Sequence, residues 1–269
     1  MIRLKNVLIV LVILALVVTA LVYTIVKYGN DIAVAVSGGV LSNKKMGWGV
    51  TRGKDHRQPS FGIYQQLIEK YEGIAMGSSD KKIVYLTFDA GYEAGYTSKI
   101  LDILKENNVK ATFFITAHYL NSQPELIKRK IDEGHIIGNH TCNHYSMPDI
   151  SDDKIKKEIQ DLHTAMRDKV GYEMKYFRPP KGEFSERTLE LTRTLGYTSV
   201  MWSFAYDDYS ESAKARGGDY AKEKILENIH PGAVILLHST SKMNADVLDY
   251  CIKEIKNMGY EFRNIDQFE

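Results

Sequence analysis

The sequence predicts an α/β protein whose parallel β-sheet is curled into a barrel. Two patterns support this prediction. From residue 81 onward, seven short apolar segments alternate with segments whose apolar residues recur at helical spacing. The first of them, residues 83–88, is apolar or β-favouring throughout and is followed by Asp89. A continuous run of this kind is typical of a buried parallel strand, and a charged residue at its end belongs at the mouth of the sheet.

The individual elements follow from the apolar runs and from capping residues. Strands are predicted at residues 83–88, 111–115, 136–139, 176–178, 198–202, 233–237 and 261–263. Four helices between them have recognisable ends: Ser122 to Gly134, Ser151 to about Lys169, Ser185 to Gly196, and Asn244 to Gly259. An amphipathic helix within residues 63–71 is expected to cover the domain that follows it.

The first 80 residues are predicted to lie outside the barrel domain, which spans residues 81–269. Residues 7–26 contain no charged residue and would span about 30 Å as a helix, which matches a bilayer core. Residues 1–30 are therefore predicted to be a membrane anchor, and residues 31–80 a stalk and lead-in. A cleaved, secreted form stays open because residues 33–35 resemble a signal-peptidase site. In both cases the flanking basic residues place the bulk of the chain outside the cytoplasm.

Composition excludes some classes of function. The net charge is +1, which gives no argument for nucleic acid as a partner. The two cysteines, Cys142 and Cys251, are too few for a disulfide framework.

Polar residues gather where the predicted strands end. The ends of different strands supply Asp89, His140, His144, Arg178, Asp207, Asp208 and His238. Because the carboxyl ends of parallel strands meet at one face, these side chains are expected to lie close together. The opposite strand ends carry no comparable set, so solvation alone does not account for the pattern.

Each of these residue types points to a chemistry, although each also has a structural explanation. His140 and His144 stand four apart and would share one side of a helical turn, as a Zn²⁺-binding pair does, but two surface histidines would show the same spacing. Cys142 lies between them and is expected to pack rather than to bind metal. Arg178 could hold a carboxylate bidentately or lie at the barrel rim. His238 could titrate near neutral pH or be a buried structural histidine.

Five segments of the sequence resemble the motifs of the polysaccharide deacetylases, the NodB-type family also called carbohydrate esterase family 4. They are Thr87-Phe88-Asp89-Ala90-Gly91, His140-Thr141-Cys142-Asn143-His144, Arg178-Pro179-Pro180-Lys181-Gly182, Asp208-Tyr209 and Leu236-Leu237-His238. The resemblance covers residues 81–268. The extended match around Asp89, the segment Trp202-Ser203-Phe204-Ala205 and the lead-in Trp48-Gly49 are closest to the enzymes that de-N-acetylate muramic acid for δ-lactam in the spore cortex.

The resemblance implies a distorted (β/α)₇ barrel and roles for seven residues. Asp89 would be the general base that takes a proton from metal-bound water, and Arg178 would hold Asp89. His140 and His144 would bind a divalent metal, most simply Zn²⁺. The backbone N–H of Lys181 would stabilise the oxyanion. Asp208 would orient His238, the general acid, although the neighbouring Asp207 is an alternative for this role.

One position departs from the family pattern. The family usually has a second aspartate that binds the metal directly after the catalytic one, and this chain has Ala90 there. With two protein ligands, water or a nearby carboxylate such as Glu93 must complete the site. The sequence therefore predicts a weakly held metal.

The resemblance implies metal-assisted de-N-acetylation of cell-wall glycan outside the cytoplasm, in the cell wall or the space between the forespore membranes. The expected partner is a peptidoglycan glycan strand, with N-acetylmuramic acid that lacks a stem peptide as the substrate, so an amidase would act earlier in the pathway. The product would lead to muramic δ-lactam in the spore cortex. The alternatives are an N-acetylglucosamine or chitin deacetylase and a catalytically silent wall-binding protein.

Overall fold

The computed structural model describes residues 41–269, of which residues 43–269 form one compact unit. The predicted anchor at residues 1–30 and the possible cleavage site lie outside the described residues. Within residues 41–269, no helix has the length and apolar character needed to cross a membrane.

Ten strands occur in the described part of the chain. They are β1 (Met46–Gly47), β2 (Ile83–Ala90), β3 (Thr112–Ile115), β4 (Ile136–Asn139), β5 (Tyr176–Phe177), β6 (Glu183–Phe184), β7 (Thr198–Ser199), β8 (Phe204–Ala205), β9 (Ala233–His238) and β10 (Glu261–Arg263). β1 and β6 form a small antiparallel pair, and the other eight form the central parallel sheet.

The central sheet is a curled half-barrel. Its hydrogen-bonded path runs β7-β5-β4-β3-β2-β9-β8, so β7 and β8 lie at opposite edges. Two strands pair with the same edge of β2. β10 pairs with the first half of β2, where Glu261 lies opposite Ile83. β3 pairs with the second half, where Thr112 lies opposite Thr87. The predicted curled parallel architecture is confirmed, but β8 was not predicted, and the strand expected at residues 198–202 is only two residues long.

Alternation along β2 decides which of its residues face the interior of the curl. Val84, Leu86, Phe88 and Ala90 belong to the main hydrophobic cluster, which also contains residues from the surrounding helices. Ile83 and Tyr85 belong to a second cluster, formed with residues of β3, β4 and β9. Because successive side chains point to opposite faces of a strand, Thr87 and Asp89 continue this interior row.

Nine helices surround the sheet in the described residues. They are α1 (Tyr64–Lys70), α2 (Thr97–Glu106), α3 (Ala117–Ser122), α4 (Pro124–Asp132), α5 (Asp152–Val170), α6 (Glu186–Thr194), α7 (Glu211–Lys214), α8 (Gly217–Glu227) and α9 (Lys242–Asn257). The predicted caps of α5 and α6 are confirmed: the side chains of Ser151 and Ser185 accept hydrogen bonds from the backbone N–H groups of Lys154 and Thr188.

The helix starts predicted at Ser122 and Asn244 are wrong. α4 begins at Pro124, because proline is favoured in the first turn, where its missing N–H has no partner to lose. Ser122 is instead the last residue of α3. α9 begins at Lys242, and its cap is Ser241, whose hydroxyl accepts from the N–H of Asn244.

The lead-in segment differs from the predicted stalk, because residues 43–80 belong to the same compact unit as the sheet. Trp48 packs against Phe61, with ring centroids 4.8 Å apart, and its Nε1 donates a hydrogen bond to the carbonyl oxygen of Trp202 at 2.8 Å. The predicted helix is present as α1 and buries Ile68, whereas Ile63 just before it is 81% exposed. The domain boundary predicted at residue 81 therefore moves to about residue 43.

Replacing Trp48 by alanine is expected to lower the free energy of unfolding by about 2 kcal/mol, somewhat less than for a fully buried tryptophan, because the side chain is only half-buried. Chemical denaturation of the full-length protein measures this change. Ile63→Ala, in the same segment but exposed, is the control and should leave stability unchanged. Equal stability of the Trp48 variant and the parent would show that the lead-in does not contribute to the domain.

Candidate active site

The site is built where β2 and β9 end side by side. Asp89 and His238 are direct neighbours across the two parallel strands. His140 directly follows β4, and Arg178 directly follows β5, which pairs with β4 through Asn139 and Phe177. Four of the predicted side chains therefore leave the sheet at the same edge, as the strand order requires.

Arg178 holds the carboxylate of Asp89 in place. Its guanidinium is fully buried and donates to Asp89 Oδ1 at 2.9 Å and to Thr87 Oγ1 at 2.9 Å. Further donations reach the carbonyl oxygens of Val200 and Met201 at 3.0 and 3.1 Å. Burial raises the pKa of Asp89, but the charge and hydrogen bond of Arg178, together with the charge of His238, outweigh it, so the pKa lies below its ordinary value and Asp89 is ionised.

His140 and His144 come together in a loop, so the predicted helical turn is wrong. Thr141 and His144 have left-handed backbones, with φ of 68° and 57°. The side chains of Asn139 and Thr141 hold this loop, accepting from the N–H groups of Thr141 and His144 at 2.9 Å each. The two imidazole rings nevertheless lie close together in an edge-to-face arrangement, with centroids 4.8 Å apart. Cys142, between them, packs against the main hydrophobic cluster.

The two histidines have the chemistry of metal ligands. His140 Nδ1 lies 2.8 Å from the carbonyl oxygen of Arg178, which places the proton on Nδ1 and leaves Nε2, 3.5 Å from Asp89 Oδ2, as a donor to a metal. Burial lowers the pKa of His140, and burial together with His140 lowers the pKa of His144 to about 4. Both rings are therefore neutral, the form that binds metals, and they fit a divalent metal such as Zn²⁺.

A third protein ligand is not in place. Among residues 41–269, no group of three or more His, Cys, Asp or Glu side chains is arranged to hold a metal. Glu93, the suggested substitute, accepts hydrogen bonds from the N–H of Gly95 at 2.6 Å and from the Tyr119 hydroxyl at 3.3 Å instead. Ala90 is fully buried in the main hydrophobic cluster, so a carboxylate there would need a local change at the end of β2 to reach the histidines.

Asp208, and not Asp207, contacts His238. Asp208 Oδ1 lies 2.6 Å from His238 Nδ1, and its Oδ2 accepts from the backbone N–H of His238 at 2.7 Å. Asp207 accepts from the N–H and hydroxyl of Ser210, where α7 begins. Burial lowers the pKa of His238, but the hydrogen bond and charge of Asp208 outweigh it, and the net pKa is raised.

Asn244 is a member of the site that sequence analysis missed. Its Nδ2 donates to Asp208 Oδ2 at 2.5 Å and to the carbonyl oxygen of His238 at 3.1 Å. Its Oδ1 accepts from the hydroxyl of Tyr206. A fully buried asparagine in the first turn of a helix indicates such a role, but its burial is visible only in the structure. In the sequence, the position of Asn244 was equally consistent with a helix cap.

Lys181 lies in the turn Pro180–Gly182, with a left-handed φ of 62°. The next residue must be glycine, because a Cβ at Gly182 would lie 2.7 Å from the Trp202 ring. This tight turn brings Lys181 to the wall of the same cleft as Asp89 and His238.

The cleft that these residues line has a volume of about 1230 Å³ and is open to solvent. Asp89, His140, His144 and His238 all line it. Tyr209, 63% exposed, packs beside His238 with ring centroids 5.3 Å apart. A cleft of this size exceeds the usual small-molecule pocket of about 300–1,000 Å³ and suits an extended ligand.

A carboxylate held by a buried arginine, two neutral histidines and a separate carboxylate–histidine pair, gathered in one cleft, are the parts of a hydrolytic site. The family comparison specifies the kind of hydrolase. Residues 76–200 match the polysaccharide deacetylase model. Together with the relatives below, this shows that the chain belongs to the polysaccharide deacetylase family, carbohydrate esterase family 4, whose enzymes hydrolyse carbon–nitrogen bonds other than peptide bonds.

Three relatives are informative. The peptidoglycan-N-acetylmuramic acid deacetylase PdaA of Bacillus subtilis is 42% identical over 87% of this chain and 91% of its own length. Its structure superposes with a TM-score of 0.82 and covers 85% of this chain and 98% of that one. A family 4 carbohydrate esterase from Bacillus anthracis is 41% identical, with a TM-score of 0.72 over 86% of this chain and 98% of that one. A family 4 pseudoenzyme from the same organism is 28% identical, with a TM-score of 0.68 over 73% and 68%.

Proposed function

We propose that this protein removes the acetyl group from N-acetylmuramic acid in peptidoglycan glycan strands that lack stem peptides. The observation that carries the proposal is the 42% identity with the muramic acid deacetylase PdaA over nearly the whole of that protein. The open cleft supports an extended glycan as the ligand. The product would be the precursor of muramic δ-lactam in the spore cortex, because deacetylation leaves an amine beside the lactyl carboxyl of the same sugar. A stem peptide would block that carboxyl as an amide, so an amidase must act first.

In the proposed reaction, Asp89 takes a proton from the attacking water. Arg178 suits Asp89 to this role by keeping its carboxylate ionised and fixed, with Oδ2 turned toward His140. The water oxygen adds to the acetyl carbonyl carbon, and the backbone N–H of Lys181 stabilises the negative oxygen that results.

His238 completes the reaction. Its Nδ1–H is held by Asp208, so Nε2 is the atom that delivers a proton to the sugar nitrogen as the carbon–nitrogen bond breaks. Acetate and the free amine leave. Asn244 acts as a positioning residue, because it holds the second oxygen of Asp208.

His140 and His144 would hold the divalent metal, with Zn²⁺ the best match to two imidazole donors. When bound, such a metal supplies Lewis acidity to the site. With two protein ligands in place, we expect it to be held weakly.

The catalytic domain is proposed to act outside the cytoplasm, attached to a membrane through residues 7–26. The uncharged run and its basic flanks support this arrangement. Membrane fractionation and sequencing of the mature N-terminus test it: a soluble protein that begins at Val36 would show that the segment is cleaved instead.

A catalytically silent wall-binding protein is the second candidate, because the family includes a pseudoenzyme and Ala90 departs from its pattern. The arrangement of Asp89, Arg178, Asp208 and His238 argues against it. Asp89 and His238 both line the cleft, and a silent protein would not need a base and an oriented acid facing its ligand.

The deciding experiment offers the purified full-length protein peptide-free glycan, intact peptidoglycan and chitin oligomers, and identifies products by mass spectrometry. Loss of acetyl from muramic acid in the peptide-free glycan supports the proposal. Loss from glucosamine alone would assign the protein to N-acetylglucosamine deacetylation. No acetate from any substrate, with Zn²⁺ supplied, would favour the silent protein.

Replacing Asp208 by asparagine should move the alkaline limb of the pH profile of kcat/KM to lower pH. Asp208 raises the pKa of His238, and burial, which then remains, lowers it. A general acid is active below its pKa, so the active range must shrink from the alkaline side. Turnover near neutral pH should fall at least about tenfold. Asp207→Asn is the matched control and should keep the parent profile; an unmoved limb in Asp208→Asn would rule out His238 as the acid.

A further inference from the structure

The loop that connects Thr51 to Ser60 forms part of the wall of the active-site cleft. Its ends pair through backbone hydrogen bonds of 2.9 and 3.0 Å between Thr51 and Ser60. Gln58 Nε2 donates to the carbonyl oxygens of Gly77 and Pro231 at 2.9 and 3.0 Å, and His56 Nδ1 lies 2.8 Å from that of Ile229. These contacts fix the loop on the sheet domain.

Arg52 is the residue of this loop that lines the same cleft as Asp89 and His238. Its Nη2 donates to the carbonyl oxygen of Ala205 at 3.2 Å. Ala205 lies opposite Leu236, two residues before His238 on β9, which is about 7 Å along the strand. The guanidinium therefore lies beside the strand that ends in His238, on the wall of the same cleft.

The charge of Arg52 is not neutralised by the protein. Among the described residues, no carboxylate lies within ion-pair distance of its exposed guanidinium. Arg57 in the same loop differs, because it approaches Asp55 at 3.6 Å and does not line the cleft. Of the described residues, the guanidinium contacts only neutral groups, the Ala205 carbonyl and the Phe204 ring, whose centroid is 6.0 Å from Cζ. It can exchange the carbonyl contact for a charged acceptor, which it binds in a stronger, bidentate geometry.

Arg52 also lies outside the part of the chain that matches the family model, residues 76–200. Lys181, the other cation of the cleft, lies inside it. Arg52 is also separate from Asp89, Arg178, Asp208 and His238, the residues proposed for the reaction. A cation that the lead-in brings to the cleft can therefore act on the choice of substrate.

We propose that Arg52 binds the lactyl carboxylate of the muramic sugar and so selects it over glucosamine, which has no carboxylate. This inference rests on the proposed function and names the residue that gives it its specificity. The lactyl group is attached to the carbon next to the one that carries the acetamide. Arg52 lies in the same cleft as Asp89 and His238 and to one side of them, so its guanidinium is placed to contact the lactyl carboxylate while the acetamide is at the reacting groups.

The test compares two glycans with the full-length protein. One is peptide-free glycan with free lactyl carboxylates, and the other is the same glycan with those carboxylates converted to neutral methylamides. For Arg52→Gln, kcat/KM on the carboxylate glycan should fall about 10- to 100-fold, mostly through KM, as for loss of a charge-assisted bidentate contact. On the methylamide glycan, Arg52→Gln and the parent should be equal. Arg52→Lys should recover part of the loss, and Arg57→Gln should match the parent on both.

Salt gives an independent measurement. Raising NaCl should lower kcat/KM of the parent on the carboxylate glycan and have little effect on Arg52→Gln, because salt screens exposed charges. Equal losses on both glycans, or no loss on either, would overturn the role of Arg52 and leave the proposed function standing. A parent enzyme that leaves muramic acid acetylated in both glycans would overturn the proposed function, and this inference with it.

Discussion

Replacing Asp89 by asparagine is expected to lower kcat by about 100-fold or more, the usual scale for loss of a general base. The amide keeps the shape of the carboxylate but cannot accept the proton from water. Acetate release from peptide-free glycan measures the change. Asp80→Asn, at an exposed aspartate shortly before β2, is the matched control and should keep parent activity.

The Asp89 variant is also expected to lose stability. Arg178 is fully buried and Asp89 is its charged partner at 2.9 Å, so the asparagine leaves a buried cation without its counter-charge. Breaking a buried pair costs up to about 3–5 kcal/mol, and the retained amide oxygen should limit the loss to the lower end. Circular dichroism and denaturation separate the two effects. A folded Asp89→Asn protein with near-parent turnover would refute the proposed mechanism.

Removing the metal is expected to lower turnover about as much as the Asp89→Asn substitution does. Treatment with a chelator should lower turnover by about 100-fold or more, and Zn²⁺ should restore it, because the site then loses and regains its Lewis acid. Extensive dialysis alone should remove much of the metal, since only two protein donors are in place among the described residues.

Two histidine variants test whether the restored turnover depends on the predicted metal ligands. In His144→Ala, one of the two imidazole donors is gone and added Zn²⁺ should fail to restore turnover. His163→Gln removes a histidine of α5 that hydrogen-bonds Tyr197 and Glu173, and it should respond to Zn²⁺ as the parent does. Full turnover in the chelator-treated parent would show that the chemistry needs no metal.

Local pattern alone was enough to predict most of the sheet and part of the site. The apolar run of residues 83–88 and the capping serines of α5 and α6 depend only on neighbouring residues, and β2, β4, β10, α5 and α6 occur where they were expected. The strand order of a parallel sheet then brings Asp89, Arg178 and His238 to one edge. Features that depend on sequence neighbours could therefore be predicted before the fold was known.

The choice between adjacent residues could not be predicted in this way. Asp207 and Asp208 have the same chemistry, and only the packing of β9 and α9 shows that Asp208 faces His238. Asn244 looked like a cap because the true cap, Ser241, is three residues away, and its role became visible only when α9 was placed against Asp208.

The sequence by itself determined the family, the parallel sheet and the residue types at its carboxyl edge, because these depend on periodicity and on ordered motifs. Only the tertiary structure decided how they meet. It replaced a helical turn at His140 and His144 by a loop with left-handed residues, buried Arg178 completely and brought Arg52 from the lead-in to the cleft. The contacts of Arg178 with Asp89 and of Arg52 with Ala205 join residues 89 and 153 positions apart. Such contacts are set by how strands and helices pack, and no local pattern in the chain encodes them.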